Sequence, residues 1–291
     1  MKQRLLRVLV LIPVLLSLLA GAALADTGPK PSVTLDIKGL DGQRCYVTLL
    51  AQEESTGPWS KQKSLADSFA GDDVDEAVWT AFNDYRDPDG LYFLGWFADC
   101  TDTDRAVWSY YPPGTFRVLL YLPDSGRFVA AEELCSRYAF HSYFTATVKG
   151  SGDDLRIAKV KQSYSYGWEA ASLAARVVVT LAVELAIALF FGFRAKRQLR
   201  LILVVNVLTQ IVLNVLLNMI AYRSGPLAFV LNYIWMEAAV FVIEGVVYAL
   251  TLRRLAKDPE KRVHPWIYAL VANVVSFAAG MALARVIPGI F

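Results

Sequence analysis

Charge is scarce in this chain. Only 19% of its 291 residues are Asp, Glu, Lys or Arg, whereas 55% are hydrophobic. An ordinary soluble domain carries about a quarter charged residues. The deficit argues against a purely soluble enzyme, a disordered chain, a coiled coil and a nucleic-acid binder. Histidine is nearly missing, with only His141 and His264 present. The three cysteines form no CxxC, and no Cys/His pair occurs, so neither a dithiol redox motif nor a zinc site is supported. There is no Gly-x-Ser-x-Gly and no phosphate-cradling glycine loop. Residues 26–165 hold 21 Asp and Glu, so carboxylate pairs arise there by chance and do not by themselves argue for a hydrolase. The chain therefore reads as non-enzymatic, with no cofactor, no metal and no nucleic-acid partner.

What charge there is lies unevenly. Residues 1–25 carry three basic residues and no acid. Residues 26–165 carry 14 Lys and Arg against 21 acids, and residues 166–291 carry 12 against 6. These are three segments of different character. The first reads as a signal peptide over 1–25. Lys2, Arg4 and Arg7 precede an apolar run from Leu5 to Leu19, and Ala23-Leu24-Ala25 offers small residues for cleavage. An uncleaved signal anchor is the alternative, and both versions export the segment after Ala25.

Residues 26–165 alternate short strand patterns with turn signals. Val33, Leu35 and Ile37 alternate with polar neighbours, and Asp41-Gly42 predicts a hairpin into Cys45–Leu50. Tyr92–Phe97, Phe116–Leu122, Phe128–Leu134, Tyr138–Val148 and Leu155–Val160 are further strand candidates. Asp72 or Asp73 is the expected cap of one helix over Val74–Tyr85. The fold class predicted is a β-sandwich-like extracytoplasmic domain with one helical insertion. Its rings are dense, and they read mainly as core. Trp108, Tyr110 and Tyr111, followed by Pro112-Pro113, form a candidate exposed binding surface. Asp87, Asp89, Asp99, Asp102 and Asp104 could gather calcium, but Asp-Pro-Asp-Gly is also a sound turn by itself. Among the cysteines, a Cys45–Cys135 disulfide is the candidate pairing, with three reduced buried thiols as the alternative.

Residues 166–291 predict an α-helical four-helix transmembrane bundle, with helices at about 168–193, 201–222, 227–252 and 265–287. Basic residues cluster in the loops 194–200 and 253–264. Positive loops stay cytoplasmic, which places residues 26–165 outside a bacterial cell membrane as part of a multi-pass protein. The polar residues inside these helices are the candidate site: Glu184, Asn206, Gln210, Asn214, Glu237, Glu244 and Asn273. The amides of the second helix recur every four residues, through to Asn218, and wind as one stripe. Glu184, Asn206, Glu244 and Asn273 fall at matching depth, so they meet if the helices share one interior. A carboxylate in hydrocarbon is costly. These groups are therefore expected to be protonated, hydrogen-bonded to the amides or wetted by a cavity. Arg176 is expected to reach outwards to the membrane surface rather than to pair with Glu184.

In the order of its parts the chain resembles a group of uncharacterised bacterial membrane proteins. The likeness is carried by Gly28-Pro29-Lys30-Pro31-Ser32, Tyr110-Tyr111-Pro112-Pro113, Arg137-Tyr138-Ala139-Phe140, and the pattern from Asn206 to Asn218 followed by Glu237 and Glu244. It implies a shared architecture and no particular chemistry. The function expected is a cell-envelope protein whose exported domain binds a ligand or partner. Its helices would sit in the lipid bilayer and anchor it or couple it to a membrane or envelope protein partner. The alternative is a small transporter or a proton or cation conductance subunit that uses the intramembrane glutamates.

Overall fold

The computed structural model describes residues 28–40, 42–62, 64, 75–256 and 264–286. The predicted leader, Asp41 of the predicted turn, and the predicted caps Asp72 and Asp73 lie outside the described residues. The chain divides into two compact units, one of them Lys30–Tyr164 and the other containing the helices from Ser165 onwards.

The Lys30–Tyr164 unit is β-rich. One sheet runs in the order β11 (Arg156–Gln162), β10 (His141–Lys149), β1 (Ser32–Lys38), β6 (Arg105–Trp108). The second runs β5 (Ala98–Asp99), β2 (Tyr46–Ala51), β7 (Thr115–Leu122), β8 (Arg127–Ala130), with β9 (Cys135–Ser136) also paired to β7. A short ribbon joins β3 (Ser55–Thr56) to β4 (Trp59–Ser60). Alternation decides which side chains go inward. Along β10, Ser142, Phe144, Ala146 and Val148 are buried between more exposed neighbours. They join Val33, Leu35 and Ile37 of β1, and Val47 and Leu49 of β2, in one core that both sheets supply. Each such aliphatic or aromatic side chain contributes about 1.5–3 kcal/mol when fully buried.

Strand β2 is buried at all six positions, which needs cover on both faces. The second cover is helix α1 (Glu76–Asp84), whose Val78 and Phe82 pack against Tyr46, Leu50, Phe97 and Leu119. Asp75 caps α1 by accepting from the backbone N–H groups of Ala77 and Val78. On the same outer face of β7, Arg117 reaches Asp87 through Nη1 at 3.0 Å and Asp89 through Nη2 at 2.6 Å. The Asp87 carboxylate is fully buried. The two acids of Asp-Pro-Asp-Gly thus meet a guanidinium, and they tie the turn at 87–90 to the sheet.

Three expectations need correction. β1 and β2 do not form the predicted Asp41-Gly42 hairpin, because they belong to different sheets and β1 pairs in parallel with β10. Tyr92–Phe97 is not a strand; only Tyr92 bridges to Ala51. Cys45 and Cys135 are not neighbours. Cys135 lies opposite Phe116, whereas Cys45 adjoins the Tyr46–Tyr121 pair. Those partners are five residues apart on β7, about 17 Å. All three cysteines are free and buried.

Among the described residues, the helical unit holds three helices long and apolar enough to cross a membrane, which suggests a membrane-embedded protein. They are α2 (Tyr166–Phe190), α3 (Lys196–Thr251) and α4 (Pro265–Val286). Helix α3 is interrupted at Gly225, whose φ of 83° only glycine adopts freely, and Pro226 comes next. The second and third predicted helices are the two arms on either side of this break. The arms run antiparallel. Hydrogen bonds join Gln198 to Leu252, Asn206 to Tyr248 and Thr209 to Glu244, with sequence separations of 54, 42 and 35. Apolar side chains such as Val178, Leu208, Val212, Leu250 and Val274 point away from the unit. The polar residues point inward, the reverse of a water-soluble bundle.

Two outcomes are expected for the β unit. Arg117→Ala strands the buried Asp87 carboxylate and should destabilise the unit by about 3–5 kcal/mol, read by urea denaturation of the detergent-solubilised protein. His141 accepts or donates a 2.7 Å hydrogen bond with Ser32 at the β1–β10 pairing. Burial holds its imidazole below the usual histidine range. The unfolded chain therefore takes up the proton first. Stability should be full above about pH 6.5 and should fall as the pH drops below it, and His141→Gln should flatten that slope.

Candidate functional site

The polar cluster inside the helical unit is built by helical periodicity. On α2 the buried positions are Ser172, Arg176, Thr180, Glu184 and Ala188, every fourth residue. On the first arm of α3 they include Gln198, Ile202, Asn206, Gln210 and Asn214, again every fourth. Glu244 and Tyr248 lie one turn apart on the second arm, and Tyr268, Asn273 and Ser276 are buried on α4. Each helix turns its polar stripe to the others.

Glu244 is the junction. It is fully buried, and its Oε1 accepts from the Thr209 hydroxyl at 2.7 Å. Its Oε2 accepts from Asn273 Nδ2 at 2.9 Å. One carboxylate thus joins both arms of α3 to α4. Gly245, beside it, leaves room for the indole of Trp266, which a Cβ there would strike. Glu184 is also fully buried. Its Oε1 accepts from the Ser276 hydroxyl at 3.3 Å, and its backbone carbonyl accepts from Tyr268 at 3.3 Å. Ser276 has a single hydrogen and also faces the Asn273 carbonyl at 3.2 Å, so its hold on Glu184 is divided. Asn206 Nδ2 donates to the Tyr248 hydroxyl oxygen at 3.0 Å. Among the described residues, Glu184 Oε2, Asn206 Oδ1 and Asn273 Oδ1 are buried without a hydrogen-bond partner.

The predicted site residues therefore fall into separate groups. Glu184, Asn206, Glu244 and Asn273 come together, as their matching depth predicts. Gln210 and Asn214 belong to a second group. Asn214 Nδ2 donates to the Gln210 carbonyl at 2.8 Å and to its side-chain oxygen at 3.2 Å. Arg176 joins this group, its Nη1 lying 3.5 Å from Asn214 Oδ1. The expectation that Arg176 points out to the membrane surface is thus corrected. It sits on the buried stripe of α2, and only 9% of it is exposed. Glu237 is half-buried and hydrogen-bonded to Tyr233, and its Oε2 is buried without a hydrogen-bond partner among the described residues. Ser172, Thr180 and Tyr268 are not among the predicted residues. The first two keep the four-residue step of Arg176 and Glu184, a signal the sequence does carry. Tyr268 lies two four-residue steps before Ser276, so the same signal extends to it.

The candidate surface on the β unit is smaller than expected. Trp108 is fully buried, stacked on Trp96 at 4.6 Å between ring centroids, so it belongs to the core and not to an exposed surface. Its indole N–H and that of Trp59 both donate to the Tyr110 carbonyl, at 2.8 and 2.6 Å. This pins the segment that presents Tyr110, which is 38% exposed. Tyr111 is half-buried, with φ of 51° and the Lys30 ammonium 5.2 Å from its ring. An open groove of about 850 Å³ on this unit is lined by Asp36, Lys38, Thr103, Asp104, Arg105 and Thr145. There Arg105 pairs with Asp36 at 2.6 Å.

In comparison with known proteins, the chain matches no family model, no curated protein and no solved structure.

The junction at Glu244 can be tested by removing its donors. Asn273→Leu and Thr209→Val should each lower the stability of the helical unit in detergent by about 0.6–1.7 kcal/mol. Because both act on one carboxylate, the double variant should depart from additivity in a denaturation cycle.

Proposed function

We propose that this is a non-enzymatic, multi-pass protein of the bacterial cell envelope. In this reading residues 1–25 direct export, and residues 26–165 form a sandwich-like domain outside the cytoplasm. The arms of α3, together with α2 and α4, make a bundle of four crossings. The β domain binds a ligand or a protein partner, with Tyr110 the most prominent side chain of its aromatic segment. The bundle anchors it in the lipid bilayer or couples it to a membrane partner. The observation that carries this reading is that Glu184 and Glu244 are both fully buried. Thr209, Asn273 and Ser276, on neighbouring helical segments, donate to them, as suits helix association in lipid.

A second reading rests on a different observation. Four acceptor oxygens of the helical unit, on Glu184, Asn206, Glu237 and Asn273, are buried without a hydrogen-bond partner among the described residues. Such a group suits a proton or a hard cation, as in a small transporter or conductance subunit.

Protease added to spheroplasts should shed the Lys30–Tyr164 unit and spare the loop around Lys196. Protection of that unit with cleavage at Lys196 would reverse the threading. Crosslinking of the intact protein in its membrane should recover a specific envelope partner, with less recovered from Tyr110→Ala; no specific partner counts against the binding role. In liposomes, pH- or cation-driven flux that Glu244→Gln abolishes would favour the second reading, and absence of flux from the unmodified protein would remove it.

A further inference from the structure

The sheet register places two cysteines face to face. Strands β2 and β5 pair with Tyr46 opposite Asp99 and Val47 opposite Ala98. One step along, Cys45 stands opposite Cys100. The backbone continues the pairing there, since Cys100 N–H donates to the Cys45 carbonyl at 3.0 Å. Residues directly opposite in an antiparallel pair have Cα atoms about 4.5–5.5 Å apart and side chains on the same face. A disulfide spans Cα separations of about 4.4–6.8 Å. The side chains agree with the register. Cys100 Sγ lies 3.1 Å from the Cys45 carbonyl oxygen, and both residues are fully buried in the same core.

We infer that Cys45 and Cys100 form a disulfide in the exported protein, leaving Cys135 as the reduced thiol. This rests on the export reading above, because the reaction needs an oxidising compartment. Two S–H bonds break and one S–S bond forms. The two protons and two electrons pass to a thiol oxidant of the envelope, itself a disulfide that is reduced to a dithiol. The bond forms while the domain folds, before the core closes. In the finished domain the hydrogen bond with Cys45, and then burial, hold the Cys100 thiol far above the usual range, so little attacking thiolate remains. Cys135 fits the role of bystander. It lies about 17 Å along β7 from the pair, and burial pushes its thiol up to about 11.

The link would close a loop of 55 positions that contains α1 and the Asp-Pro-Asp-Gly turn. It would thereby fasten β5 to β2, where only two residue pairs hold β5 in the sheet.

The test uses the full-length protein taken from membranes, quenched in acid and alkylated with N-ethylmaleimide after denaturation but without reductant. Peptide mass spectrometry should find the Cys45 and Cys100 peptides joined, two hydrogens lighter than their sum, and Cys135 alkylated. Reduction should lower the thermal midpoint of the β unit by roughly 10 °C, and a Cys45→Ser/Cys100→Ser double variant should show no such response to reductant. Alkylation of Cys45 and Cys100 without reductant, in protein whose β unit protease sheds from spheroplasts, would overturn the disulfide alone. The same alkylation in protein whose β unit is protected would overturn the export reading and the disulfide with it. A linked Cys45–Cys135 peptide would overturn the assignment of partners.

Discussion

The helical unit depends on a carboxylate that cannot face hydrocarbon. Glu244 would be costly against lipid and costly in the interior without donors. Thr209 and Asn273 supply the donors, and they come from two other helical segments. The same requirement bears on other polar contacts of the unit. Asn206 must lie beside Tyr248, Ser276 must reach Glu184, and Gly245 must admit Trp266. Apolar residues are left for the outside because nothing in lipid draws them inward. The interior of this unit combines these hydrogen bonds with two buried apolar clusters, one around Phe193 and Tyr268 and one around Leu213 and Phe229.

The β unit solves the opposite problem. Its apolar residues go inward, and alternation sorts them. Strand β2 breaks the alternation because it has a sheet on one side and α1 on the other. That second covered face creates a place where a buried carboxylate is tolerated, and Arg117 meets it there. The Arg117–Asp87 pair and the two indoles on Tyr110 do related work. Each fixes a loop to a strand by satisfying groups that burial would otherwise leave exposed to cost.

Much of the helical unit is legible from the sequence, because its signals are local. Four-residue steps of Asn and Gln mark a buried stripe on any helix, and a shared depth is simple arithmetic from the rise. Glu184, Asn206, Glu244 and Asn273 are found in this way. The inward turn of Arg176 is not, since the choice between surface and interior depends on what Asn214 offers from another helix. In the β unit, β10 and the β7–β8 hairpin are legible from alternation and a short turn. The parallel pairing of β1 with β10 is not. It joins residues about 109 positions apart, with no motif between them that records it. The cysteine partners are hidden for the same reason, since they depend on the register of a two-residue strand.

The break at Gly225 has a consequence for assembly. A single residue separates the two arms of α3, so each arm is held at high effective concentration beside the other. Chain synthesis delivers both arms before α4. Thr209 can therefore engage Glu244 Oε1 early, while Glu244 Oε2 and Glu184 Oε1 still await Asn273 and Ser276. Helix α4 then acts as a keystone: it arrives into a socket whose polar contacts already specify its register, so the order of emergence and the order of hydrogen bonding coincide.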